Sequence, residues 1–235
     1  MKIRLLGVAA AASLALTLVL GLRLPPTEEQ HQYARLIAIH PAIAWVAYLA
    51  FGVMALGSAL YLWPATRHRR WDRLAAAGAE VGVVFTALML ATGSIWGRPT
   101  WGVWWVWDAR LTLSALMLAL LLGYVALRRV SVDGERRALV SAIAGLSAVV
   151  VIPVNHFAVT WWRTLHQGRS LANISPASHL DGQYIQAMLV GFVAMTLVFA
   201  YLLARRFQLE VLADEIDDAG LAAAIEARRR EGVPA

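Results

Sequence analysis

Apolar residues fall in six long runs: Ile3 to Leu22, Leu36 to Trp63, Leu74 to Ile95, Leu111 to Leu127, Ala138 to Val159 and Tyr184 to Ala204. Between them lie short stretches rich in arginine, proline, glycine and tryptophan. Each run is long enough to cross a hydrocarbon layer of about 30 Å at about 1.5 Å per helical residue. None alternates apolar and polar positions with period two, so the pattern predicts an all-α polytopic bundle of six transmembrane helices and not a barrel. Composition agrees, because 60% hydrophobic and 15% charged residues lie outside the range of soluble domains.

The first run follows Lys2 and Arg4, which leaves a cleaved signal peptide as an alternative. Its length exceeds a normal signal core, and it ends in Leu22-Arg23-Leu24-Pro25 without a small-x-small cleavage pattern, so a retained signal anchor is expected. The chain then divides into a membrane domain over 1–204, with a tryptophan-rich connection at 96–110, and a tail over 205–235. In the tail Leu209, Leu212 and Ile216, then Leu221 and Ile225, recur at helical spacing.

Basic residues near a membrane stay on the cytoplasmic side, and here they divide fifteen to six between the two sets of connections. Lys2 and Arg4, the cluster Arg67 to Arg73, the cluster Arg128 to Arg137 and the arginines from Arg205 onward share one side. Both termini are therefore expected in the cytoplasm, and the tryptophan loop outside. The net charge of +6 reflects this topology and anionic headgroups, since no nucleic-acid-binding motif is visible. The six arginines on the other side are Arg23, Arg35, Arg98, Arg110, Arg163 and Arg169. Snorkelling to headgroups accounts for such residues in general. Arg35 and Arg110 stand apart, each at the outer end of an apolar run near candidate ligand-binding residues, where an anionic ligand would explain them. Glu80, inside the third run, is costly at that depth and is expected to have a structural partner in the bundle or a transporter interface.

The chain has ten tryptophans, and half of them fall at Trp96, Trp101, Trp104, Trp105 and Trp107 in the connection after the third run. An anchoring belt needs only one or two per helix end, so this density suggests a platform for a flat ligand. Trp101, Trp104, Trp105 and Asp108 stand at i, i+3, i+4 and i+7, which would place them on one face of a helical turn along the membrane surface. Gly97, Pro99 and Gly102 mark the turn into it. Asp108 is placed to cap the fourth helix or to orient a histidine N–H.

Of six histidines, His31, His68 and His179 have nothing distinctive around them. His40 opens the second run, His156 closes the fifth, and His166 follows in Trp161-Trp162-Arg163-Thr164-Leu165-His166. On the expected topology all three emerge on the tryptophan face. Imidazoles ligate haem iron, indoles cover the macrocycle and arginines pair with propionates. A candidate set forms from His40, His156 and His166, the five tryptophans, Asp108, Arg35 and Arg110.

Trp96-Gly97-Arg98-Pro99-x-Trp101-Gly102-x-Trp104-Trp105-x-Trp107-Asp108-Ala109-Arg110 resembles the "WWD" signature of the haem-handling proteins of cytochrome c biogenesis. With six spans and Trp161-Trp162-x-Thr164-Leu165-His166-Gln167, the chain is similar to the cytochrome c maturation protein C (CcmC) branch over roughly Arg35 to Ala204. The resemblance implies that His40 and His166 are axial ligands of haem iron, that the tryptophan loop holds the macrocycle, that Asp108 is the signature's acidic residue and that Arg35 and Arg110 meet the propionates. It implies delivery of haem b, on the outer face of the cytoplasmic (inner) membrane, to a membrane-anchored haem chaperone (CcmE). The implied further partners are an ABC-type transporter pair (CcmA and CcmB) and a small single-span subunit (CcmD). The chain departs from the family pattern in having Pro41 directly after His40 and Arg163 after the tryptophan pair, and in a longer tail.

Chemistry alone leaves three classes open: a haem-delivery protein without catalytic activity, a membrane cytochrome b carrying electrons, and a membrane enzyme attaching haem covalently. Ligands at a helix end and in a loop favour transient holding, since an electron carrier buries its ligands between helices. The absence of cysteine fits a handler that uses coordination and stacking.

Overall fold

The computed structural model describes residues 2–28, 30–130, 134–166 and 181–230. Among the described residues there is no strand, and the helices are α1 (Lys2–Arg23), α2 (His40–Leu62), α3 (Arg69–Trp101), α4 (Ala109–Val130), α5 (Gly134–Ala148), α6 (Val151–Trp161) and α7 (Gly182–Arg230). A 3-10 segment, Gln32–Ala38, leads into α2. Six stretches are long and apolar enough to span a membrane: α1, Gln32–Leu62, α3, α4, α5 with α6, and α7. The protein is a multi-pass membrane helical bundle, as the six apolar runs predict.

α2 is the hub. On one stripe Ala42, Val46 and Ala50 are buried against Val81, Phe85 and Met89 of α3 and Met195 and Phe199 of α7. On another, Phe51 and Met54 meet Ala75 and Ala79 of α3, Met117, Leu121 and Tyr124 of α4, and Ala148 at the end of α5. Lipid offers no hydrophobic contrast, so helices associate here through close packing of small residues. Gly57 is an example: a Cβ there would stand 2.6 Å from the Trp71 carbonyl oxygen, so the glycine is what lets α2 and α3 touch backbone to backbone.

Three boundaries differ from the sequence reading. The third run does not stop at Ile95; α3 continues through Pro99 to Trp101 and ends where Gly102, at φ 79°, donates its N–H to the Arg98 carbonyl. Pro99 removes a single backbone bond near a terminus, and the Thr100 hydroxyl contacts the Trp96 carbonyl at 3.0 Å. The expected surface turn carrying Trp101, Trp104, Trp105 and Asp108 on one face therefore does not form. Trp101 is the last helical residue and 103–107 are non-helical. The fifth run is two helices, not one, broken between Ala148 and Val151. Pro153 sits in the first turn of α6, where a missing N–H leaves no intrahelical bond unmade.

The third difference is α7, whose 49 residues run well past Ala204. At about 1.5 Å per residue it is about two and a half times as long as the hydrocarbon is thick, so its end must project beyond the membrane. Its continuation is held by charge. Arg206 forms a two-armed pair with Glu80 of α3 and also reaches Glu210 at 2.8 Å. Arg73 meets Asp214 at 2.7 Å, and Arg128 of α4, paired with Asp72 of α3 at 2.5 and 3.0 Å, lies 3.9 Å from Glu210. Glu80 thus has its partner within the bundle. Leu209, Leu212 and Ile216 are exposed on this helix. The side chain of Leu221 lies outside the described set.

Candidate functional site

The opposite end of the bundle gathers the histidines and tryptophans. His40 is the first residue of α2, with Pro41 beside it in the first turn, where its fixed φ suits helix initiation. Its ring lies on the last turns of α3. Nδ1 is 2.9 Å from the Thr92 hydroxyl, and the Trp96 ring meets it edge-on at 5.6 Å. A Cβ on Gly93 would lie 3.1 Å from His40 Cε1, so the absence of a side chain there makes the bed for the imidazole.

His166 approaches the same stretch of α3 from the connection after α6. Its ring is 6.4 Å from that of Trp101. Trp101 itself folds back over Gly97, where a Cβ would come within 2.8 Å of its ring carbons. Trp96 and Trp101 are five residues apart, or about 7.5 Å of helical rise, so one helix end carries an indole against each histidine. His40 lies within electrostatic range of both His166 and Arg110.

Asp108 ties this arrangement to α4. One carboxylate oxygen accepts the Leu111 N–H at 2.8 Å, capping the helix. The other accepts the Leu165 N–H at 2.9 Å, which anchors the backbone next to His166. Arg110, in the first turn of α4, donates to the Asn155 carbonyl of α6 at 2.5 Å. Asn155 is buried and donates to Ser114 Oγ at 3.2 Å. His156 is exposed on α6, edge-on to Tyr48 at 6.4 Å and to Phe157 at 5.2 Å.

The structure brings His40, His166, Trp96, Trp101, Asp108 and Arg110 together. Arg35 is in the 3-10 segment, and its hydrogen bond among the described residues goes to the Leu24 carbonyl at 2.8 Å, at the end of α1. It makes no described contact with the histidines or tryptophans. Trp104 and Trp107 point outward, 58% and 77% exposed. Trp105 is edge-on to Trp107 at 5.5 Å, and its buried indole N–H has no partner among the described residues. Trp96 donates its N–H to Gln30 at 3.0 Å, beside a small cavity of about 120 Å³ bounded by Ala34, Ile37, Asp181 and Tyr184. Gln167, Arg169 and His179 lie outside the described residues.

Sequence reasoning passed over Thr92, Gly93, Gly97 and Gln30. The only available signal was Thr92-Gly93-Ser94, a small and polar triplet interrupting an apolar run one turn before Trp96. The donor set suits a planar metal macrocycle with acidic substituents. Two imidazoles can supply iron ligands, the indoles an apolar wall, and Arg110 a guanidinium with donors beyond the one it commits to Asn155.

The family model described as heme exporter protein C matches residues 2–221. The chain belongs to that family. Among its relatives, the heme exporter protein C of Bradyrhizobium diazoefficiens is 36% identical over 208 residues, covering 88% of this chain and 78% of that protein. The Haemophilus influenzae heme exporter protein C is 34% identical over 203 residues, covering 86% and 81%. A putative cytochrome c biosynthesis ccmC-like mitochondrial protein of Arabidopsis thaliana is 31% identical over 222 residues, covering 94% and 81%. The match to the family extends from α1 into the projecting part of α7, so the whole bundle, and not the tryptophan loop alone, is the family's unit.

Proposed function

We propose that this protein handles haem in cytochrome c biogenesis, binding haem b between His40 and His166 and passing it to a membrane-anchored haem chaperone (CcmE). The observation that carries the reading is the convergence of two imidazoles on adjacent turns of α3, each against an indole, with Arg110 in electrostatic range of His40. In this reading haem is cargo, and no covalent chemistry is assigned to the chain. The names of the relatives, heme exporter protein C and a putative cytochrome c biosynthesis protein, support the same role. Arg110 and Arg35 are proposed to meet the propionates, and Trp101 and Trp105 to flank the ring, with the exposed Trp104 and Trp107 presenting an aromatic rim to the acceptor. Asp108 steadies both α4 and the segment bearing His166.

The asymmetry of the two ligands suggests how haem leaves. His40 is fixed to a helix by Thr92, Gly93 and Trp96, whereas His166 sits in a connection anchored through Leu165. Loops open more readily than packed helices, so release begins on the His166 side. The site faces outward across the cytoplasmic membrane, as the fifteen-to-six bias of basic residues argues, with both termini inside. Further partners are an ABC-type transporter pair (CcmA, CcmB) and a single-span subunit (CcmD), and the tail over 205–235 belongs to the cytoplasmic side.

The test is ligation. Purified protein is expected to show a six-coordinate low-spin haem spectrum, and His40→Gly or His166→Gly each to change it. Unaltered Soret and visible bands in both variants at full occupancy would reject the pair and turn attention to His156.

A further inference from the structure

The Thr92 hydroxyl has one hydrogen, and its place is settled locally. Thr92 Oγ1 lies 2.7 Å from the Leu88 carbonyl oxygen, four residues back in α3, the usual back-bond of a helical threonine. A carbonyl can only accept, and a 2.7 Å contact between two oxygens needs a hydrogen between them, so the hydroxyl proton goes there. At the same oxygen, His40 Nδ1 approaches to 2.9 Å. With its proton already committed, the hydroxyl can only accept from the imidazole, and a neutral imidazole carries one N–H. Nδ1 therefore holds the hydrogen and Nε2 the lone pair.

The surrounding packing fixes where the ring lies. A Cβ on Gly93 would lie 3.8 Å from His40 Nε2 and 3.1 Å from Cε1, so this flank of the ring is kept clear by the missing side chain. Trp96, one turn further on, meets the imidazole edge-on at 83° between the ring planes. Three positions of one helix face thus hold the ring, Thr92 at Nδ1, Gly93 nearest Cε1 and Trp96 against the ring at 5.6 Å.

We propose that Thr92 is a positioning residue for iron ligation: it fixes His40 as the Nδ1–H tautomer and presents Nε2 to haem iron. This rests on the ligand role proposed for His40. Hydrogen bonding at the far nitrogen also makes a histidine a stronger donor, and loss of such partners typically weakens metal binding by about 10–100-fold.

The test compares Thr92→Val, which keeps the branched shape and removes the acceptor, with Thr92→Ser, which keeps the hydroxyl. In haem-free protein carrying ring-15N histidine, the difference between wild type and His40→Gln isolates the His40 signals. These are expected to show a protonated Nδ1 and a bare Nε2 in wild type and Thr92→Ser, and a mixture of tautomers in Thr92→Val. In haem titrations Thr92→Val should weaken binding by about tenfold or more and raise the haem reduction potential, because a weaker donor stabilises ferric iron less, with Thr92→Ser near wild type. A protonated Nε2 in wild type, or wild-type tautomer and affinity in Thr92→Val, would overturn the role of Thr92. If His40→Gln itself left the haem spectrum and affinity unchanged, the ligand assignment would fall, and Thr92's role toward iron with it.

Discussion

Arg110 spends one guanidinium N–H on the Asn155 carbonyl and keeps others for a partner. That bond ties the base of α4 to α6, with the charge in electrostatic range of His40. If Arg110 meets a propionate, the pair should contribute on the order of 1.5–3 kcal/mol, so Arg110→Ala should weaken haem binding roughly tenfold or more. Removing the ligand's charge should mimic the mutation: Arg110→Ala should cost little affinity for haem dimethyl ester, measured beside haem in a double-mutant-style cycle. Equal losses for both ligands would show that Arg110 acts through its contacts within the bundle, the Asn155 carbonyl among them. The same cycle on Arg35 is the sharper test, because its described hydrogen bond goes to Leu24, away from the histidines.

At the scale of elements, the junction between α3 and α4 couples helix geometry to ligand placement. α3 ends at Gly102, the chain crosses through 103–107, and Asp108 starts α4 while holding Leu165. Asp108→Ala should therefore do two things at once. Loss of the cap should cost about 1 kcal/mol of stability. Release of the Leu165 N–H should free the His166 segment, seen as faster amide exchange over 163–166 and a shift of bound haem toward five-coordination with His40 retained. A variant with lowered stability but unchanged exchange and spectrum would confine Asp108 to the cap. The break between α5 and α6 plays a related part, since it lets α6 carry Asn155 to Arg110 independently of the path of α5.

For the whole molecule, polar chemistry divides between the two ends of the bundle. One end has histidines, indoles and few charges; the other is laced by Asp72–Arg128, Glu80–Arg206 and Arg73–Asp214. The second network joins α3 to α4 and α7 to α3, so it should matter to assembly and not to haem. Glu80→Ala should lower stability in detergent by about 1 kcal/mol, nearer the surface-pair range because both partners remain about a third exposed, 31% and 32%, and leave the haem spectrum unchanged. Sidedness is checked directly, because the chain has no cysteine to interfere. A cysteine at Thr100 should react with an impermeant maleimide in intact cells, and one at Ala65 only after the membrane is opened. The reverse pattern would turn the proposed haem site toward the cytoplasm.

Features that act on each segment separately are legible in the chain alone. A bilayer tests every stretch for length and apolarity, so the number of spans and their approximate positions are local properties, readable from Ile3 to Ala204. The tryptophan cluster and the residues of the family signature are equally local. Tertiary structure decided everything that depends on which faces meet. Helical spacing suggested one ledge of Trp101, Trp104, Trp105 and Asp108, but Gly102 in a left-handed conformation stopped the helix and sent the later tryptophans elsewhere. Glu80 found Arg206 across 126 residues, and Asp108 found Leu165 across 57, pairings with no sequence periodicity to announce them. Thr92 and Gly93 read as ordinary helix residues until α2 crosses α3 and lays His40 upon them. Their meaning lies in a contact between helices, and only the packing of the bundle sets that contact.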